Sequence, residues 1–483
     1  MIFSSIPFLY YFLPCVLALY YFVPKKLKNG VLLLSSLVFY AWGEPKAVLV
    51  MVIAISSSYI CGLLIERFRN QILSKVFLVV GAGIALAFLA YFKYAGFFLE
   101  NFAAVTGISV GTLKIVLPVG ISFYTFQLVS YLADVYRETV SAQKNLINLG
   151  TYVAMFPQLI AGPIVRYKEI EQQLKNRRHS YEKMAQGIRR FVLGMGKKVL
   201  ISDALGELCS HFQESSDLSV LYVWMYAVAF MLQIYFDFSG YSDMAIGLGK
   251  MFGFELMENF NYPYISRSIT EFWRRWHISL GSWFRDYVYI PMGGNRVSKS
   301  RWLFNIFVVW MLTGFWHGAA WNFILWGLYF AVLLLVEKLW LQSFLEKHKV
   351  FAHIYVLFAV MIGFVLFNAE SVGAGFAQIG ALFGVGGATQ VSSLGWPADL
   401  RGLPLISAES LYYLRSYGVI FMLAIVGATP VVKRVVVSME KKFLNRIRFI
   451  WNCMEVILMI GLLLLMTAYF VDGSFSPFLY FRF

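Results

Sequence analysis

The chain has 483 residues, 59% of them hydrophobic and only 14% charged, with a formal net charge of +15. Soluble domains carry about 25% charged residues, so this composition excludes an ordinary soluble enzyme and requires a polytopic membrane protein. The lysines and arginines stand in short loops between apolar stretches, where they mark the cytoplasmic face of a membrane and do not point to nucleic acid.

The first apolar stretch, residues 3–23, has no basic region ahead of it and no small-residue cleavage site, and it reads as a retained helix. Lys25, Lys26 and Lys28, then Arg67, Arg69 and Lys75, then the run from Arg166 to Arg190, are all expected on the cytoplasmic side. That places the amino terminus outside and makes Trp42-Gly43-Glu44-Pro45 an outer turn. Spans at 76–97 and 117–136 return the chain to the inside. The stretch 149–165 is apolar but has basic loops on both sides, and Pro157, Gly162 and Pro163 would break a helix within it. A re-entrant segment is expected there, and broken backbone at membrane depth requires surrounding protein or a water-filled cavity.

Residues 192–205, with Lys197, Lys198 and Asp203, read as a partial or interfacial segment, and 218–252 as a long span. A polar, aromatic insert follows at 259–301. Its helix, expected over 268–287, mixes Trp273, Trp276 and Trp283 with Arg274, Arg275 and Arg285 in the manner of an interfacial helix. A hairpin then rises through 302–320 and descends through 323–340. Spans at 351–367, 411–428 and 451–471 complete a count of about 11, with a glycine-rich loop at 370–401. Ser474 and Pro477 end the last helix, so the tail 473–483 is free to fold back at the outer mouth. The four cysteines show no metal-ligand spacing and no disulfide framework. No internal repeat of the transporter kind is evident.

The residue that stands out is His317, in Thr313-Gly314-Phe315-Trp316-His317-Gly318. An ionisable ring deep in an apolar hairpin is costly unless it functions, and a neutral imidazole can still exchange a proton in a dry interior. A histidine simply bonded to a carbonyl is the competing reading. His277, in Trp273-Arg274-Arg275-Trp276-His277, is a candidate partner across a chamber, although the same run also reads as an aromatic anchor. Arg274 and Arg275 could clamp donor phosphates. Asp237 and Asp243 lie six positions apart, about 600° of helix rotation, so they face different directions and are expected to take structural partners. His179, His211, His348 and His353 lie in or beside polar loops or span ends.

Several stretches together resemble the membrane-bound O-acyltransferase (MBOAT) superfamily. They are Phe39 to Pro45, Leu117 to Gln127, Phe156 to Ile164, Tyr235 to Asp243, Asn259-Phe260-Asn261-Tyr262-Pro263-Tyr264, Trp273 to His277 and Trp316-His317-Gly318. Within the superfamily the chain is similar to the bacterial branch that acetylates alginate, and more distantly to the teichoic acid D-alanyl transferases. The resemblance implies an all-α integral membrane fold, a ring of about 11 transmembrane helices with re-entrant and interfacial helices around a central tunnel. It implies one polytopic domain, made of N-terminal helices (1–145), a catalytic core (146–345), C-terminal helices (346–472) and an extracytoplasmic tail (473–483).

The same resemblance makes His317 the active-site histidine and His277 the second motif histidine. Arg274, Arg275, Trp273, Trp276, Trp316, Asn322, Asp237 and Asp243 become candidates for lining the tunnel or binding the donor. It implies no bound cofactor; the donor would be a cytoplasmic thioester such as acetyl-CoA or an acyl carrier protein. An esterase-like extracytoplasmic O-acetyltransferase would complete delivery to a glycan outside the bacterial cytoplasmic (inner) membrane. Tyr480 resembles a terminal tyrosine proposed as acyl carrier in the teichoic acid system, because an aryl ester stays activated; it reads equally as an interfacial anchor. D-alanyl or lipid acyl transfer, and a non-enzymatic carrier of an acylated molecule, are the competing functions.

Overall fold

The computed structural model describes residues 3–108, 115–159, 162–215, 219–385, 403–472 and 479, and the side chains among them except those of 440–449 and 451. Among the described residues every regular element is helical. Seven helices are long and apolar enough to cross a membrane: Ala47–Arg67, Ile72–Thr106, Val220–Met251, Trp321–Lys347, Lys349–Asn368, Ala408–Gly427 and Asn452–Val471. The protein is a multi-pass membrane protein. Four further helices account for the larger number expected from sequence. Pro7–Phe22 is a shorter apolar helix, Lys28–Gly43 and Ile121–Tyr136 have 16 residues each against about 20 for a full crossing, and Lys299–His317 carries Lys299, Arg301 and Asn305.

The chain divides into two compact units, one of Met1–Gly194 with Tyr241–Glu258, the other of Met195–Gly240 with Asn259–Phe483. Two of the three cuts fall inside the helices Tyr181–Gly196 and Val220–Met251, and the third falls between Glu258 and Asn259 in the segment that follows.

In the first unit the stretch after Gln143 enters and turns back. Asn145 caps Leu146–Ala154 by accepting from the Ile147 and Asn148 amides at 2.9 and 3.3 Å. At this level Asn29 Nδ2 donates to Asn148 Oδ1 at 2.7 Å and to the Leu174 carbonyl at 2.9 Å. The helix breaks at Met155, and the Phe156 amide donates to Ser36 Oγ at 3.0 Å. Ser36 is eight residues into the helix that begins at Lys28, a depth of about 12 Å. The chain then returns: Tyr152 donates to the Val165 carbonyl at 2.9 Å, and Gln143 Nε2 to the Tyr167 hydroxyl at 2.8 Å. Entry and exit therefore lie side by side, as a re-entrant segment requires. Lys28 and Arg177 stack on the same Tyr20 ring, 4.5 and 5.8 Å from its centroid, so two of the basic clusters share one face.

The second unit holds the hairpin. Lys299–His317 and Trp321–Val336 are joined by three residues and approach backbone to backbone. A Cβ on Gly314 would lie 2.2 Å from the Phe323 carbonyl oxygen, and one on Gly327 would lie 2.2 Å from that of Trp310. Only glycine permits this packing.

Two stretches differ from the sequence expectation. Residues 181–214 are helical throughout, beyond the partial segment expected at 192–205. The glycine-rich loop begins as a helix, Val372–Leu382, because Ser371 caps it at 3.2 Å through the Ala374 amide and Gly375 lets it lie against Leu366. Close packing outweighs the weak helix propensity of glycine.

Candidate active site

The insert is two short helices, not the single helix expected over 268–287. Ser268 accepts from the Glu271 amide at 2.9 Å to start Ile269–Arg275, while the buried Glu337 carboxylate accepts from the Ile269 amide and, at 3.2 Å, from the Thr270 amide. The helix stops at Trp276, which is extended, and His277 is left-handed at φ 43° and ψ 53°, after which Ile278–Phe284 begins. The break is imposed from the segment 259–261. Asn261 donates its amide to the Arg275 carbonyl at 2.9 Å, and Ile278 donates to the Asn259 carbonyl at 3.0 Å. These bonds hold a conformation that costs a non-glycine residue about 1–3 kcal/mol, a kind of strain that clusters at functional sites.

His277 is 2% exposed. Its ring stands edge-on to Phe238 at 4.6 Å and lies 6.0 Å from the Trp316 ring. Nδ1 is 3.2 Å from Asn259 Oδ1, which also accepts from the Ser279 amide at 3.3 Å and the Ser279 hydroxyl at 2.8 Å. Nε2 has no hydrogen-bond partner among the described residues. Burial pushes this imidazole down to about 3, so it is neutral at physiological pH.

The ring lines a cavity of about 480 Å³ with aromatic walls from Trp273, Trp276 and Trp310 and basic groups from Arg274, Arg285 and Lys338. A second cavity of about 470 Å³ shares Thr270, Arg274 and Lys338 with it and extends past Glu337 to Lys349.

His317 is the last residue of its helix, and its ring is 6% exposed. Trp316, Trp326 and Phe367 meet it edge-on at 5.0, 5.1 and 5.3 Å. It lines neither of the two cavities. Trp316 touches both imidazoles, so the structure brings the two histidines into one aromatic cluster.

Residues 138–369, which contain this cluster and both cavities, match the model of the membrane-bound O-acyltransferase (MBOAT) family. A probable alginate O-acetylase, AlgI, of Azotobacter vinelandii is 41% identical over 427 residues, covering 87% of this chain and 84% of its own. The AlgI protein of Pseudomonas putida is 39% identical over 492 residues, covering 100% of both chains. A peptidoglycan O-acetyltransferase of Helicobacter pylori is 33% identical over 424 residues, covering 80% of each. The chain belongs to the membrane-bound O-acyltransferase family.

The cluster places a buried, neutral imidazole, that of His277, against a cavity with a cationic rim. The other candidates separate by position. Trp273 and Trp276 line the cavity, and Arg274 lines both cavities. Arg275 lines neither; it pairs with Glu271 at 2.9 Å and donates to the Asn261 carbonyl at 3.1 Å, fastening the break. Asn322 also lines neither, because its amide is engaged by the Phe367 and Ala369 carbonyls at 3.4 and 2.9 Å.

Asp237 and Asp243 take different partners, as their spacing requires. Asp243 pairs with Arg190 at 2.8 Å, and Arg190 also pairs with Glu258. Asp237, buried, pairs with Lys198 at 2.9 Å, and Lys198 also lies 2.5 Å from Asp203. The second oxygen of Asp237 accepts the Leu479 amide at 2.9 Å, and the Leu479 side chain is buried in the core of the second unit. Tyr480 lies outside the described residues.

Asn259, Ser279, Glu337, Arg285 and Lys338 were not singled out by sequence reasoning as site residues. Asn259 opens one of the family-like stretches, which was a signal; Glu337 and Lys338 sit at the end of an apolar span and gave none.

Proposed function

We propose that this O-acyltransferase takes an acyl group, acetyl in the first instance, from a cytoplasmic thioester and passes it to a hydroxyl destined for an extracytoplasmic polysaccharide, working from the bacterial inner membrane. The observation that carries this is the neutral His277 in a cavity with aromatic walls and a rim of Arg274, Arg285 and Lys338, joined through Trp316 to His317. The relatives' names, alginate O-acetylase and peptidoglycan O-acetyltransferase, favour acetyl as the cargo and a polysaccharide as the acceptor.

The rim cations suit phosphates of acetyl-CoA or of a carrier protein's prosthetic arm, and the apolar walls suit the arm itself. With the thioester end of the arm reaching past Trp316, His317 accepts the proton of the attacking hydroxyl as its oxygen bonds to the thioester carbonyl carbon. The tetrahedral intermediate collapses with cleavage of the carbon–sulfur bond, and the thiolate takes the proton from His317. The products are an ester and a free thiol. No resident cofactor enters this scheme.

Tyr480, next in sequence to the Leu479 that Asp237 holds, is the proposed first acyl acceptor, with an esterase-like extracytoplasmic transferase completing delivery. The test is transfer of labelled acetyl from acetyl-CoA or an acetylated carrier protein by the purified protein, followed by peptide mass mapping. Label reaching an acceptor, with none from His317→Ala, supports the reading; transfer undiminished in that variant overturns it. Preference for D-alanyl or long-chain thioesters would change the cargo.

A further inference from the structure

We propose that Asn259 is a positioning residue that fixes His277 as the neutral tautomer protonated on Nδ1, leaving Nε2 as a hydrogen-bond acceptor for a substrate N–H or O–H. The inference deepens the donor-cavity reading and rests on it for the identity of the ligand, though not for the state of the ring.

The argument starts from an atom whose identity is fixed by its neighbours. The Ser279 backbone N–H can only donate, so the Asn259 side-chain atom 3.3 Å from it is the carbonyl oxygen and not the amide nitrogen. The same oxygen receives the Ser279 hydroxyl at 2.8 Å and faces His277 Nδ1 at 3.2 Å; with its one proton spent on that shorter bond, the Ser279 oxygen, 3.3 Å from Nδ1, presents a lone pair to the ring as well. A lone pair on Nδ1 would point at a lone pair on the Asn259 oxygen. A proton on Nδ1 turns that repulsion into a bond, and in a neutral ring the other nitrogen must then be bare.

Nε2 is the atom with no partner among the described residues, in a ring that is 2% exposed and lines the cavity. A buried acceptor left unpaired is costly, and substrate binding would supply its partner. The backbone carries the same message. Asn259 uses its carbonyl to hold Ile278 and its side chain to hold Ser279, so one residue sets both the left-handed turn at His277 and the orientation of the ring.

The test reads the ring directly. Nitrogen NMR of full-length protein with labelled histidine, reconstituted in lipid nanodiscs, is assigned with His277→Gln; the chain has only 6 histidines. The expected result is Nδ1 protonated and Nε2 bare, unchanged between about pH 7 and pH 5, below the ordinary histidine value of about 6.5. Asn259→Leu should introduce the Nε2-protonated form and lower kcat at least tenfold with the KM for acetyl-CoA within threefold.

Asn259→Asp keeps an acceptor and adds a negative charge, so it should retain the tautomer and move the acid limb of the transfer profile to higher pH. A wild-type ring protonated on Nε2, or one titrating near its ordinary value, overturns the proposal, as does an unchanged tautomer in Asn259→Leu. If Asn259→Leu does not fold, the wild-type and Asn259→Asp spectra still decide. A wild-type ring in the expected state in a protein that does not use thioesters would retain the role of Asn259 and sink only the donor reading.

Discussion

One carboxylate, that of Asp237, holds Lys198 Nζ on one oxygen and the Leu479 amide on the other, each at 2.9 Å. A residue in the middle of a long helix thus ties down the chain 242 positions later, and the buried lysine and carboxylate partly offset each other's cost of burial.

Asp237→Ala should release the tail and leave Lys198 with only Asp203. Amide exchange of the carboxy-terminal peptide should lose its protection at Leu479, and thermal stability should fall by an amount typical of a broken buried ion pair, about 3–5 kcal/mol. Protection unchanged in this variant would show that the tail is held by other contacts.

His317→Ala should abolish acyl transfer by about 10²–10⁴-fold, the usual worth of general base catalysis. Its unfolding temperature should fall only by what one buried ring costs and the protein should stay folded, because alanine keeps the helix that His317 ends. Activity and thermal unfolding on the same preparation check both parts.

Arg274→Gln and Arg275→Gln should differ although the residues are adjacent. The first lines both cavities and should raise the KM for a thioester carrying phosphate, about tenfold for one lost charge-assisted contact. The second pairs with Glu271 and the Asn261 carbonyl and should lower stability and kcat with little change in KM. Equal effects on KM would remove the distinction.

Stability should depend on pH through His277. Burial holds its folded value near 3 against about 6.5 when unfolded. Between those values the unfolded chain binds a proton that the folded one refuses, so stability is fully present above about 6.5 and is lost progressively as pH falls toward 3. His277→Gln should flatten this dependence, which thermal unfolding at pH 7 and pH 5 would reveal.

Gly314→Ala and Gly327→Ala should each destabilise the hairpin, by at least the 1–3 kcal/mol or so that overpacking costs, because the added carbon meets backbone oxygen and not a side chain that can swing away. Both should also lower transfer by displacing His317. Thermal unfolding with parallel activity measurements tests them.

Much of this was written in local pattern. Apolar length gave the spans, and basic loops on both flanks gave the re-entrant stretch, since charge placement reports topology directly. The hairpin bearing His317 was legible because residues 318–320 sit between two apolar runs. The break at His277 was not legible, because no glycine or proline marks it. Its cause is the backbone of Asn259 and Asn261, remote in sequence, taking the groups a continuous helix would use. The roles of Arg275 and Asn322 were hidden for the same reason: a polar side chain shows that it needs a partner, never which one. The helix Val372–Leu382 was obscured by its glycines, whose value lies in contacts that local propensity does not record.

The turning point at Ser36 has an electrical consequence. Where the chain from Leu146 to Val165 dips about 12 Å and comes back, the insulating layer of roughly 30 Å is partly replaced by hydrogen-bonding backbone. A polar group moving beside that segment would face a shorter stretch of hydrocarbon than one beside a full span, and the transmembrane voltage would drop more steeply over what remains.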